Sequence, residues 1–288
     1  MNILVTGSNG YVGSNLVNKF RRNESYNIIE HNIGICDLVD LCRLEDYSKS
    51  VDPEVIIHSA GKANSVEYQN AQEVLYSNII GTQNLIQCFP DAYHIFLSSI
   101  VVYRSAGNFF CHTAAVGPKS IYGASKLTCE NLYRSAKTIS NTNSISIRLC
   151  AVVGGENYTH GLINAITNKI KENPYEIELF GTPKGGSIKP YIHIDDVYCY
   201  ISKTLTLISM YRKKGCSTDI LATSKPLSVL EVAEKLFKKY GVNPTINWNN
   251  SKTWKGDNKV INYKGPVYNV TNYKTTEEAL DNIDLELF

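Results

Sequence analysis

No apolar run in this chain of 288 residues reaches the ~20 residues that a membrane span requires, so no membrane partner is expected. Met1 runs at once into Asn-Ile-Leu-Val-Thr and a glycine loop, which leaves no stretch for a charged and apolar secretion signal; a cytoplasmic location is the expectation. Neither sign of charge is in surplus: 29 basic against 27 acidic side chains give a formal net charge of +2. Without a concentrated basic patch, nucleic acid is not an expected partner. The one short basic run, Arg212 to Lys214 before Gly215, reads as a helix end whose cations face exposed carbonyls. The eight cysteines include no CxxC pair, and Cys88 and Cys150 sit inside apolar runs; they read as reduced and partly as small hydrophobes, not as a disulfide framework. His58, His94 and His193 stand in or beside strand-like runs without clustered Cys or Asp, so no metal is expected. There is no internal repeat and no low-complexity linker.

What is present is an ordinary globular composition, 43% apolar and 19% charged. Short β-branched runs at 2–5, 26–29, 55–57, 94–97 and 144–149 alternate with amphipathic stretches at 11–20, 38–47, 71–88 and 121–138. In the first stretch Val12, Leu16 and Phe20 share a helix face. The alternation predicts an α/β fold with a Rossmann-type parallel sheet flanked by helices. After Gly154 the rhythm changes to a helix at 161–170, a short strand at 176–180, a Gly/Pro/Lys loop and a strand at 191–194 entering an Asp195-Asp196 helix start. Ser228 and Glu231 form a capping box for a helix ending at Lys239. The expected organisation is a large sheet domain over 1–154 and a smaller C-terminal lobe over 155–288, with a segment near 191–215 returning to the large domain.

Residues 7–13, Gly-Ser-Asn-Gly-Tyr-Val-Gly, follow the first strand and open the first helix. In that context Gly7 makes a tight turn, Gly10 admits a pyrophosphate to the backbone, and Gly13 lets helix and sheet approach, with the phosphate charge at a helix N-terminus. Glu30, at the end of the second strand and seventeen residues after Gly13, can accept both ribose hydroxyls of NAD and repel a 2′-phosphate, or it is a solvated strand-end residue beside His31. NAD is favoured over NADP on that ground. Asp37 is either an acceptor for the adenine amino group or a helix N-cap.

Tyr122 and Lys126, in Tyr-Gly-Ala-Ser-Lys after Pro118, are one helical turn apart on one face. A free tyrosine titrates near pH ~10, so acid/base work at neutrality needs a neighbouring cation to stabilise the phenolate. Ser99 ends the fourth strand, where open sheets bind ligands, and can hydrogen-bond a substrate oxygen that gains or loses carbonyl character. The alternative is a Tyr/Lys pair decorating a surface.

Together with His58-Ser-Ala-Gly61, Ser98-Ser99 through Val102-Tyr103 and Tyr191-Ile-His-Ile-Asp-Asp196, these motifs resemble the NAD-dependent epimerase/dehydratase family of extended short-chain dehydrogenases/reductases, which act on nucleotide-activated sugars. The resemblance covers nearly the whole chain. It implies Tyr122 as general acid/base, Lys126 as the nicotinamide-ribose ligand that lowers the tyrosine pKa, and Ser99 as the partner of the sugar oxygen. It also implies a cofactor cleft lined by Gly7, Asn9, Gly10, Tyr11, Val12, Gly13, Ala60, Gly61 and Lys62, with Asn78 supporting the site. Val101 and Lys189 are implied substrate contacts, residues after Gly154 the sugar-nucleotide lobe, and the helices near 66–88 and 120–137 a homodimer interface.

The departures narrow the chemistry. Family dehydratases carry Asp-Glu two residues after the serine position; here Ser99-Ile100-Val101-Val102-Tyr103 has no carboxylate, so elimination of water lacks its acid. Ala151 stands where many relatives have asparagine, Lys189 where many have arginine, and Arg104 where glycine is usual. Two reactions stay open. The first is a 4-epimerase that takes hydride from sugar C4 and returns it to the other face; the second is an NAD(P)H-dependent 4-keto-sugar reductase. A dinucleotide-binding protein without catalysis on the same fold is the third reading.

Overall fold

Ile3-Leu4-Val5 and Val55-Ile56-Ile57 are buried to 0% exposure along their whole length. Continuous apolar runs of this kind belong to strands covered on both faces, where alternation would leave polar groups against a helix. The computed structural model describes residues 1–63, 71–103, 109–110, 114–156, 158, 161–182, 188–222, 226–251, 262–263, 274 and 276–281.

The chain opens with β1 (Asn2–Thr6), α1 (Tyr11–Phe20), β2 (Asn27–His31), α2 (Leu41–Ser48) and β3 (Val55–His58). Next come α3 (Ala71–Leu75), a π turn (Tyr76–Ile80), α4 (Gly81–Cys88), β4 (Tyr93–Ser99), a 3-10 turn (Ile100–Val102) and β5 (Phe109–Phe110). A long α5 (Ile121–Ser140) leads to β6 (Asn143–Leu149), β7 (Ala151–Val153), α6 (Gly161–Glu172), β8 (Glu176–Phe180), β9 (Ile188–Lys189) and β10 (Tyr191–His193). The remainder is α7 (Ile194–Thr206), α8 (Ile208–Lys214), β11 (Cys216–Leu221), β12 (Leu227–Ser228), α9 (Val229–Tyr240), β13 (Thr245–Asn249), β14 (Asn262–Tyr263) and α10 (Thr276–Asp281).

Six strands form one sheet in the order β2-β1-β3-β4-β6-β11, every neighbouring pair parallel. The α/β parallel sheet is therefore as expected, with β11 as an edge strand that the sequence pattern did not reveal. Strand order reverses at β1, so its C-terminal end, between β2 and β3, is the crevice where open sheets bind ligands. Leu4 and Ile56 pack with Leu44 of α2 and Leu85 of α4, and Phe96 with Ile86, Cys129 and Tyr133.

Local chemistry explains the element ends. Asp40 caps α2 by accepting Arg43 N, so that helix starts after Asp40 and not at residue 38. Ser120 caps α5 by accepting Gly123 N at 3.0 Å, and Asn141 ends it in the left-handed region at φ 59°. The helix expected over 71–88 is interrupted by the π turn, and the basic run ends α8 at Gly215 as expected.

The chain divides into two compact units. One comprises Met1–Arg104, Ala115–Leu149 and Val197–Leu221, and contains the sheet; the other comprises Ser105–Ala114, Cys150–Asp196 and Ala222–Phe288. The second has its own core, in which Ile163, Ile166 and Ile170 of α6 meet Val232, Leu236 and Phe237 of α9 over Ile177 and Leu179 of β8. The capping box at Ser228 and Glu231 opens α9 as expected. Among the described residues, no helix is long and apolar enough to cross a membrane.

Candidate active site

The glycine loop turns directly off β1. Gly7 has φ +67°, and a Cβ there would stand 2.7 Å from Ala60 Cα on the loop after β3. A Cβ on Gly13 would overlap the Gly7 carbonyl and lie 2.7 Å from Ser59 Oγ, so α1 approaches the loop as closely as only glycine allows. Gly10 N donates to Gly7 O at 2.9 Å, and Gly10, the N-cap of α1, provides no side chain to satisfy the first-turn amides. A helix N-terminus without a capping side chain, beside a glycine turn, suits an anion.

A cavity of about 370 Å³ opens beside this loop, lined by Gly7, Asn9, Gly10, His31, Asn32, Ile33, Cys36, Asp37, Leu38, Ala60, Gly61, Lys62 and Ser77. Of the residues expected at the cofactor, Tyr11, Val12, Gly13, Glu30, Asn78, Tyr122 and Lys126 are not in its wall. Glu30 pairs with Arg21 at the end of α1, and its strand neighbour His31 lines the cavity instead, because successive strand residues point to opposite faces. Both His31 ring nitrogens are buried without a hydrogen-bond partner, and burial lowers the imidazole pKa against an opposing pull from Asp37. Asp37 faces the cavity while Oδ1 accepts Val39 N at 3.2 Å; the helix N-cap is Asp40, so the capping alternative for Asp37 does not hold.

Gly61 joins this cavity to the proton-transfer group. A Cβ at Gly61 would lie 3.1 Å from Asn78 Oδ1 and 3.4 Å from Lys126 Nζ. Asn78 sits in the π turn, a local widening of helix that recurs at functional sites. Its Oδ1 accepts Lys62 N at 2.7 Å, and its Nδ2 donates to Lys62 O and to Ser125 Oγ on α5. The Lys62 side chain itself pairs with Glu73.

Tyr122 and Lys126 lie on α5, and Ser99 ends β4. Burial pushes the Tyr122 phenol up to about 12, against the lowering expected from Lys126; Cys129 adds to the rise and the neighbouring Ser99 hydroxyl opposes it. Lys126 is 5% exposed; Nζ donates to Leu97 O at 2.9 Å and stands 4.7 Å from the centre of the Phe96 ring and 5.8 Å from that of Tyr122. Burial brings its pKa down to about 8, which still leaves a cation at pH 7. Gly123 lets the first turn of α5 meet the turn after β4: a Cβ there would be 2.7 Å from the carbonyl oxygen of Val101. Val101 is half-buried on that turn, between the buried Ile100 and Val102.

Sequence reasoning missed a polar chain behind the site. Ala60 N donates to Thr6 Oγ1, which meets His58 Nδ1 at 2.7 Å; His58 Nε2 meets Thr82 Oγ1 at 3.0 Å, and Thr82 donates to Asn78 O at 2.6 Å. With Thr82's proton committed to Asn78 O, the consistent assignment has His58 donating from Nε2 and accepting at Nδ1. Burial holds His58 well below its usual pKa, so it is neutral. Thr6 and His58 meet through the pairing of β1 with β3, and Thr82 reaches His58 from α4.

Lys189 lies on β9 in the second unit, half-buried, and Ala151 begins β7, paired with Tyr191. Arg104 is outside the described residues. No cluster of His, Cys, Asp or Glu suited to a metal occurs among the described residues.

The sequence pattern of the NAD dependent epimerase/dehydratase family matches residues 3–213. The chain belongs to that family. Family membership makes it an NAD(P)-dependent enzyme acting on nucleotide-activated sugars. Among its relatives, a UDP-glucose 4-epimerase of Erwinia amylovora is 29% identical over 84% of this chain and 83% of the relative. The structure of a UDP-glucose 4-epimerase from Brucella ovis in complex with NAD superposes with a TM-score of 0.82 at 20% identity, covering 98% of this chain and 95% of the other. A dTDP-4-dehydrorhamnose reductase from Bacillus anthracis in complex with NADP gives 0.81 at 19% identity and covers 98% of each chain. At these identities the structural likeness is one of fold.

Proposed function

We propose that this family member is an NAD-dependent nucleotide-sugar 4-epimerase in which Tyr122, Lys126 and Ser99 carry the proton chemistry. The observation that carries the reading is the buried Lys126 ammonium, which shares a helix face with Tyr122 and stands 5.8 Å from the centre of its ring, with Ser99 at the end of β4 and a turn, Ile100–Val102, that offers no acid. Such a group can move a proton on and off an oxygen but has nothing with which to expel a β-hydroxyl. Tyr122 takes the proton of the sugar 4-hydroxyl as C4 is oxidised and returns it after the 4-keto sugar has turned. Ser99 steadies the same oxygen, and Lys126 offsets phenolate charge.

The glycine cradle fits a dinucleotide pyrophosphate, since each glycine stands where a Cβ would crowd the backbone. Gly7, Gly10 and Gly13, with Asn9, Tyr11 and Val12 between them, would hold the phosphates, Asp37 the adenosine, and Ala60, Gly61, Lys62 and Asn78 the nicotinamide side. Bound there, the dinucleotide supplies a reversible hydride acceptor. Asp37 is the acidic residue in the wall, and its charge supports NAD over NADP. Val101 and Lys189 are proposed as substrate contacts, Lys189 as a point charge for a phosphate.

A reductase of a nucleotide 4-keto sugar is the second reading. One observation favours it: Glu30, paired with Arg21, is absent from the cavity wall, so the carboxylate expected to repel a 2′-phosphate does not stand there. The test is to incubate the purified protein with UDP-glucose or UDP-galactose, and separately with a dTDP-4-keto-6-deoxy sugar plus NADH or NADPH. Interconversion without net change in reduced dinucleotide supports the epimerase. Stoichiometric oxidation supports the reductase, and bound dinucleotide with no turnover on any sugar supports the non-catalytic reading.

A homodimer through α3, α4 and α5 is also proposed, supported by an apolar groove of about 540 Å³ between α4 and α5 that includes Ile86, Leu132, Ala136 and the 84% exposed Ile139. Sedimentation across a range of concentrations tests it. The seven described cysteines are unbridged, which suits a reducing compartment, and the cytoplasm is the proposed location.

A further inference from the structure

One buried charge pair beside the site has no task in the chemistry above. The Glu130 side chain is 0% exposed and that of Arg148 6%. Arg148 Nε donates to Glu130 Oε1 at 2.9 Å and Nη2 to Oε2 at 2.6 Å, a two-pronged contact. Taking two ions out of water costs several kcal/mol each, and an apolar pair of similar volume is often as stable or more so, so stability alone does not account for it.

Its attachments point elsewhere. Glu130 lies on α5 one turn beyond Lys126 and two beyond Tyr122, and Oε1 also accepts Ser98 Oγ at 2.6 Å. Ser98 precedes Ser99 on β4 and is the register partner of Arg148 on β6. The Arg148 guanidinium stands 4.7 Å from the centre of the Tyr103 ring, which follows the turn holding Val101. One carboxylate thus ties the helix of Tyr122 and Lys126 to the strand end of Ser99 and, through Arg148, to the turn after it.

We infer that Glu130 and Arg148 are positioning residues, which set α5 against β4 and β6 so that Tyr122 meets Ser99 and Lys126 keeps its charge beside the dinucleotide site. This rests on the hydride-transfer reading of that site. The titratable groups about Lys126 are Tyr122, Cys129 and Glu130 on its own helix and His58 from β3, with Arg148 reaching Glu130 from β6 and Arg134, half-exposed, from the next turn of α5. His58 is neutral and Cys129 is raised by burial, so Glu130 is the formal charge nearest in sequence, and it raises the Lys126 pKa.

The two partners act with opposite sign. Glu130→Gln removes the anion and leaves the Arg148 cation, so Lys126 loses its proton at lower pH; Arg148→Met leaves the anion with only the more exposed Arg134 at 3.3 Å, so Lys126 holds its proton to higher pH. The probe is NADH, titrated by fluorescence from pH 6 to 10, which needs no sugar substrate. The pH at which affinity has halved is expected to fall by about one unit in Glu130→Gln and to rise in Arg148→Met. Folded single variants that both keep the wild-type midpoint overturn the inference. If a single variant does not fold, the double variant Glu130→Gln/Arg148→Met, which leaves only the half-exposed Arg134 without its partner and no buried charge unpaired, is titrated at pH 7: affinity at least threefold weaker supports the role, and wild-type affinity overturns it. Failure of the wild type to turn over any nucleotide sugar would sink the proposed activity, yet would leave this binding result to be read on its own.

Discussion

Gly13→Ala should weaken dinucleotide binding far more than it weakens the fold. A Cβ at residue 13 would stand 2.8 Å from the Gly7 carbonyl carbon, nearer still to its oxygen, and 2.7 Å from Ser59 Oγ. The serine hydroxyl can rotate, but the carbonyl belongs to the turn itself and accepts Gly10 N at 2.9 Å. Relief therefore requires α1 and the loop to separate, and overpacking of this kind costs about 1–3 kcal/mol. With total stability on the order of 5–15 kcal/mol, the protein still folds, and its melting temperature falls by about 2–12 °C. The same separation pulls the open amides of α1 away from the turn that shares their anion, so NADH affinity should drop at least tenfold, or about 1.4 kcal/mol. Gly241→Ala at the C-cap of α9 is the control: its φ of +65° strains any side chain and so lowers stability, but nothing lies within 4 Å of the added Cβ. Circular dichroism melts and fluorescence titration with NADH measure both effects. A Gly13→Ala protein that melts lower but binds NADH as tightly as wild type would refute the assignment of this loop to the dinucleotide.

Tyr122→Phe should lower turnover by about two to four orders of magnitude while the NADH dissociation constant stays within about threefold, because only the proton-transferring oxygen is lost; steady-state kinetics retaining most of the rate would remove Tyr122 from the mechanism. Lys126 has its folded pKa lowered to about 8 from 10.5, so its buried charge destabilises the free protein below pH 8, and the penalty fades as pH rises toward 10.5. Lys126→Met should accordingly be more stable than wild type at pH 7, by on the order of 3 kcal/mol, and should lose that advantage at pH 10.5; a constant difference in urea melts would contradict it. Asp196 is raised to about 6, chiefly by burial, so its carboxyl favours the fold below its ordinary pKa and that contribution is lost as pH rises through 6. Asp196→Asn should gain melting temperature at pH 8 and not at pH 4; equal gains at both would be contrary. Glu30→Gln should leave the ratio of NAD to NADP affinity within about twofold, since Glu30 pairs with Arg21 outside the cavity wall; a tenfold change would restore it to ribose recognition.

Much of this architecture is local, and local chemistry is legible in a sequence. The runs Ile3-Leu4-Val5 and Val55-Ile56-Ile57 announce buried strands, Ser228 and Glu231 announce a helix start, and the spacing of Tyr122 and Lys126 places them on one helix face before any fold is known. The glycine spacing after the first strand likewise announces a turn that a side chain would obstruct. What the sequence alone could not decide are the relations set by register and by crossing of distant elements. A strand-end position does not say which side faces the ligand, and a difference of one residue exchanged Glu30 for His31 in the cavity wall because successive strand residues alternate. The π turn that presents Asn78, the chain from Thr6 through His58 to Thr82, and the Glu130–Arg148 pair each join residues from separate strands and helices. Spacing along the chain encodes periodicity within an element, whereas these contacts depend on how parallel strands are ordered and aligned, and that is decided only when the sheet closes its core.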